Sequence, residues 1–167
     1  GRDAEAVDVA AQALQSCPVR TGPDADEAWR EHVELHAHLA AALLDANGDR
    51  AAALRHARAC VEHGGSQSDA LSVLRTLTGR VAPDARRFTL TIRGDWKAQD
   101  GSVVPFTRTF RVLATSEAEA FELVKQFEPP EVRPSLTLAQ IGSPGPSEDR
   151  EAPTGVYQAL GHIRMTT

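Results

Sequence analysis

"GDRAAALRHARACVEHGG", residues 48–65, decides how the first half of the chain is read. On a helix His56, Cys60 and His63 fall at offsets of four and three, which sets three metal-ligand types on one face. The same helix carries small residues at Ala53, Ala57 and Cys60, the spacing at which two helices pack closely. Residues 1–18, "GRDAEAVDVAAQALQSCP", favour the second reading when laid over it. Gly1 meets Gly48, Ala6 meets Ala53, Ala10 meets Ala57, Ala13 meets Cys60 and Pro18 meets Gly65. Two helices of one chain with small residues at the same places are expected to pack on a preceding helix in the same way. Cys60 then fills a slot for a small apolar side chain, with His56 towards solvent.

Up to about residue 79 the apolar pattern keeps a helical period. Leu35, Leu39, Ala42, Leu43 and Ala46 form one stripe, Ala53, Leu54, Ala57, Cys60 and Val61 another, and Leu71, Leu74 and Leu77 a third. Breaks fall at Pro18 to Pro23, at Asn47-Gly48-Asp49, at His63-Gly64-Gly65 and at Thr78-Gly79. A glycine at the inter-helix turn, small residues five, nine and twelve positions later, and a closing Pro resemble the second helix of a tetratricopeptide repeat. Gly1, Ala6, Ala10, Ala13 and Pro18 match every slot, and Gly48, Ala53, Ala57 and Cys60 match all but the last. The resemblance makes Glu34 to Ala46 the first helix of the second unit and covers about the first 80 residues. It implies antiparallel helix pairs with a concave partner-binding face, on which the register sets His38, Ala42 and Asp45. The two glycines stand 47 positions apart rather than about 34. The extra residues, Val19 to Glu31, include Trp29 and can extend the next helix backwards.

After Pro83 the period changes to two. Phe88 to Arg93 and Phe106 to Val112 read as strands with Thr and Arg on the open face, joined across Asp100-Gly101. Ser116 and Glu119 form a capping box before a helix through Phe121, Val124 and Phe127, which Pro129-Pro130 ends. Leu136 to Ile141 reads as a third strand, Gly142 to Gly155 as a loop and Val156 to Met165 as a fourth strand. The expected fold is α+β: a helical domain over residues 1–80, then a small ββαββ domain over 86–167 with the helix on one face of an antiparallel sheet. Its core includes Leu136 and Leu138.

Hydrophobic residues make up 41% and charged residues 25% of the 167, the profile of a folding chain. The net charge of −5 lacks the basic surplus that phosphate neutralisation asks for, so nucleic acid is not an expected partner. No apolar run is long enough to span a bilayer, which argues against a membrane partner. The two cysteines, Cys17 and Cys60, form no CxxC pair; this fits a reducing, cytoplasmic setting. The start at Gly1-Arg2-Asp3 reads as the interior of a motif, as in a piece of a longer protein.

Few constellations promise chemistry. His32 and His36 add ligand types beside His56, Cys60 and His63, yet the seam register turns Cys60 away from His56, so neither a metal nor a cofactor is expected. Asp95 and Asp100 flank Trp96 in the first hairpin and are expected to face water. Arg108 breaks the inward alternation between Phe106 and Phe110, and Glu122 is its expected partner, an exposed edge the alternative. Trp29 and Trp96 lie outside the apolar stripes; a packing role is the first expectation for both, with Trp29 a candidate partner anchor. The expected function is a non-enzymatic protein–protein interaction module, a scaffold or adaptor of chaperone-like, conflict or immunity type. Its partner would be another protein or peptide, with a homodimer left open. The alternative is an enzyme fragment with polar side chains converging near Trp96, Arg108 and His162 between the halves.

Overall fold

A computed structural model of the chain describes residues 27–165 apart from 46–48, 99 and 148, together with Val7, Val9, Gln12 and Leu14. Those four residues are helical; the rest of the first copy of the seam, and most of the insertion, lie outside the described residues. Helix α1, Glu27–Asp45, begins seven positions before Glu34 and so takes Trp29 into its first turns. Its buried face is Val33, Ala37 and Ala40, spaced by four and three. Helix α2, Arg50–Glu62, is capped by Asp49, whose Oδ1 accepts the Ala51 N–H at 2.9 Å. It ends where Gly64 adopts φ +81°, letting the Gly64 and Gly65 N–H groups close on the Val61 and Cys60 carbonyls. Helix α3, Ser68–Thr78, follows and stops at Gly79.

Ala53, Ala57 and Cys60 are fully buried, as a seam requires. His36 faces His56 and His32 faces His63, so α1 and α2 run antiparallel.

The sheet is built on two long strands, β1 Arg86–Lys97 and β2 Val103–Ala114, paired without interruption from Arg86↔Ala114 to Lys97↔Val103. Helix α4, Glu117–Lys125, starts at the expected capping box: Ser116 Oγ accepts from the Glu119 N–H, and Glu119 Oε2 accepts from the Thr115 N–H. Strands β3 Thr137–Ile141 and β4 Gly145–Pro146 flank β1, while β5 Gly155–Ala159 and β6 Ile163–Arg164 flank β2. All pairings are antiparallel, and helices followed by this sheet make an α+β fold.

Phe88, Leu90, Ile92, Phe106, Phe110 and Val112 point inward, whereas Thr89, Arg93 and Arg111 line the open face. One buried cluster joins Ala53, Ala57 and Leu71 of the helices to Phe88, Phe110 and Val124 of the sheet half. Arg75 of α3 ties the halves together, donating to Val156 O at 2.8 Å while its guanidinium lies 4.2 Å from the centre of the Tyr157 ring.

Four expectations are corrected. The single strand over Val156 to Met165 is two, because the chain leaves the sheet over Leu160 to His162 and turns the His162 side chain inward. Leu138 is exposed rather than core: it stands opposite the buried Ile92, but β3 is the border strand of the sheet and is exposed along nearly its whole length. The first strand does not stop at Arg93: β1 runs on to Lys97, so Trp96 lies in the strand rather than in the hairpin loop, and the alternation gives it the packing role expected of it. Arg108 pairs with Glu128 beyond the end of α4; Glu122 instead meets Lys125 at 2.6 Å.

Candidate functional site

The alternation of β2 carries Arg108 into the core, where the residue is 1% exposed. A buried guanidinium is tolerable only if its five N–H donors find acceptors, and all five do. Nε donates to Leu160 O at 2.9 Å, Nη1 to Phe127 O at 2.9 Å and to Glu128 Oε1 at 3.1 Å, and Nη2 to Gly64 O and Gly65 O at 3.0 and 3.2 Å. One side chain thus fixes the α2–α3 turn, the exit of α4 and the break after β5.

Glu128 is fully buried, and its two oxygens also accept from His162 Nε2 at 2.8 and 2.9 Å. A carboxylate only accepts, so the Nε2 proton is assigned by its partner and Nδ1 carries the lone pair. Burial, with Arg108 nearby, lowers the His162 pKa against the pull of Glu128 and holds the ring neutral. The ring packs 4.5 Å from Trp96 and 5.0 Å from Phe106, centre to centre.

Above this network lies a cavity of about 240 Å³ between the halves. The helical half supplies Trp29, His63, Gly64 and Ser66; the sheet half supplies Trp96, Glu128, His162 and Arg164. Trp29 Nε1 donates to His63 O at 2.6 Å, fixing that wall. Gly64 suits its place on two counts: its φ is positive, and a Cβ there would stand 3.2 Å from His162 Cε1, so that the ring would have to shift by a few tenths of an ångström. Among the described residues Trp96 Nε1 has no acceptor and is closed off from solvent, while His162 Nδ1 makes no hydrogen bond and is not among the buried, unsatisfied atoms. The cavity therefore combines aromatic walls, an imidazole acceptor and the side chain of Arg164.

A second cluster fills the α1–α2 seam. Ring centres run His56 to His36 at 5.1 Å, His36 to His32 at 4.6 Å and His32 to His63 at 5.3 Å, with His36 Nδ1 2.9 Å from His56 Nδ1. His56 is thus half-buried against His36 rather than turned to solvent. Burial lowers the pKa of all four, His36 to about 3 with further repulsion from the neighbouring rings. Among the described residues no group of three or more His, Cys, Asp or Glu side chains is placed to hold a metal. Cys60 sits apart with Sγ donating to Gln67 Oε1 at 3.3 Å, and burial pushes its thiol up to about 12.

The four residues expected to meet a partner do not share one face. Trp29 lines the cavity, whereas His38, 3.4 Å from Asp69 of α3, lies with Asp45 on the exposed side of α1; Ala42 is half-buried between. Nine residues separate Trp29 from His38, two and a half helical turns, which puts them on opposite sides. Asp95 and Asp100 are exposed, and the Asp100 carboxylate accepts the Ser102 N–H at 2.8 Å.

Trp96, Arg108 and His162 do come together, as the alternative reading of the sequence required. Glu128 and Gly64 were not singled out. Arg108 in an inward slot demanded an acid, but Glu119, Glu122, Glu128 and Glu131 all offer one, and only the path of the chain around Pro129 selects among them. No family model matches the chain, and no curated protein and no solved structure matches it either.

Proposed function

We propose that this chain is a non-enzymatic recognition domain that receives a group projecting from a partner protein or peptide in the cavity between its halves. The observation that carries the reading is the Arg108 network, which holds both walls of the cavity to one floor through the protein's own hydrogen bonds. Preorganisation of this kind lowers the entropy cost of binding. Two tryptophans in the walls suit an anchor pocket. The antiparallel α1–α2 pair, with Ala53, Ala57 and Cys60 in its seam, supports a tetratricopeptide-like unit, and the buried, free Cys60 suits a reducing, cytoplasmic setting.

Peptides selected from a display library on the intact chain test the reading. Ser66 is exposed and lines the cavity, so Ser66→Trp fills it without disturbing the floor. Selected peptides are expected to bind Ser66→Trp at least tenfold more weakly and a His38→Ala/Asp45→Ala variant unchanged. The reverse pattern would move the site to the outer face of α1 and end this reading.

One observation favours a second reading, general-base catalysis: Glu128 orients His162 as a carboxylate orients a catalytic imidazole. Among the described residues, however, no hydroxyl or thiol is hydrogen-bonded to Nδ1, so the nucleophile would be a water or the substrate itself. Ester hydrolysis that His162→Gln abolishes would establish it.

A further inference from the structure

We infer that the group received in the cavity is a tyrosine side chain of the partner, its phenolic hydroxyl donating to His162 Nδ1. The inference rests on the reading that this cavity is the binding site, and it deepens that reading by naming what enters. Glu128 holds the Nε2–H of His162, so the lone pair of the ring sits at Nδ1. Among the described residues that nitrogen makes no hydrogen bond, yet it is not closed off from solvent. The side-chain donors around it are spent or shut away. Arg108 uses all five N–H groups on the protein itself, Trp29 Nε1 donates to His63 O, Trp96 Nε1 has essentially no accessible surface, and Arg164 is already engaged. His63 and Ser66 can each donate or accept and so favour neither sense. A ligand atom at Nδ1 must therefore bring the proton.

Charge and shape narrow the donor. An ammonium would share the space with the Arg164 guanidinium, and the oxygens of Glu128 are already taken by Arg108 and His162. An anion would set acceptors against a lone pair. What remains is a neutral donor, and Trp29, Trp96, His162 and Pro129 in the lining suit a flat apolar body beneath it. The volume of about 240 Å³ lies below the roughly 300 Å³ where drug-sized pockets begin, which favours one ring. Tyrosine carries its donor on a single ring and, titrating at about 10, keeps it protonated and neutral throughout the neutral range. The lone pair of His162 has to be free as well. Glu128 beyond α4 favours the imidazolium, whereas burial, Arg108 on β2 and Arg164 on β6 oppose it, and neutral His63 at the end of α2 shares the cavity. The balance holds the ring below its ordinary value, so Nδ1 stays an acceptor at neutral pH.

The chain has two tryptophans, and both line the cavity, so the two indole N–H resonances report on it. In titrations of the intact chain p-cresol, the tyrosine side chain on its own, is expected to shift both in a saturable way. It should bind severalfold more tightly than toluene, although toluene leaves water more readily, more tightly than 3-methylindole, and equally at pH 7 and pH 8. Toluene or 3-methylindole binding as tightly as p-cresol, no saturable response to p-cresol, or an affinity that changes between pH 7 and pH 8 would overturn the tyrosine. None of these would touch the cavity as a peptide site, which the display peptides and Ser66→Trp decide separately.

Discussion

Arg108 shows what a single residue can be asked to do when it is charged and has nowhere to hide. Its five donors are matched and its charge faces Glu128, so the pair is tolerated, but neither partner is tolerated without the other. Arg108→Met should therefore lower unfolding free energy by about 3–5 kcal/mol in urea titration, the cost of an uncompensated buried charge. Adding Glu128→Gln should recover part of that loss, because the orphaned charge goes with it. The thiol of Cys60 is the opposite case, a polar atom made inert by burial. With its titration pushed up to about 12, it should not react with a disulfide reagent at pH 8 in a Cys17→Ser background until denaturant is added. At this scale the sequence was half legible. Arg108 betrayed itself by standing between Phe106 and Phe110, and Cys60 by standing over Ala13. Glu128 carried no such mark, and its meeting with His162, a residue named only in the alternative reading, depends on a bend after α4 and a break after β5 that local spacing does not encode.

Elements follow local rules closely here, and so most of them could be read in advance. Asp49, Ser116 with Glu119, and the glycines at 64 and 79 start and stop helices where caps belong. The strands grew beyond expectation, since twelve-residue β1 and β2 pair with each other along their whole length and carry less patterned ends with them. What the helical period could not convey is how α1 lies on α2, and that contact holds the histidine column. The sign of its effect on stability follows from four rings whose pKa values are all lowered in the folded chain. Between the folded and unfolded values the unfolded chain binds more protons, so stability falls as pH drops below about 6.5 and keeps falling towards the lower folded values. The melting temperature should be lower at pH 5 than at pH 7. A His36→Gln/His56→Gln variant should show a smaller drop over that range, with circular dichroism reading both. The slope cannot exceed about 1.4 kcal/mol per pH unit for each proton, and partial exposure of the rings reduces it.

For the molecule as a whole, the change from helical to strand period near Pro83 marks a change of secondary structure, while the buried cluster runs through from Ala57 to Phe110. Helix loss followed by circular dichroism and cavity opening followed by tryptophan emission should therefore give superimposable transitions in urea; two separated midpoints would mean that the halves unfold independently. The two long strands are each bordered on their outer side by a five-residue and a two-residue strand, with a register shift in the longer pairing of each border. Neither rim then presents a long straight row of unused amide and carbonyl groups. A second molecule seeking to extend the sheet would meet short, broken templates, and the chain is guarded on both sides against growth into fibres.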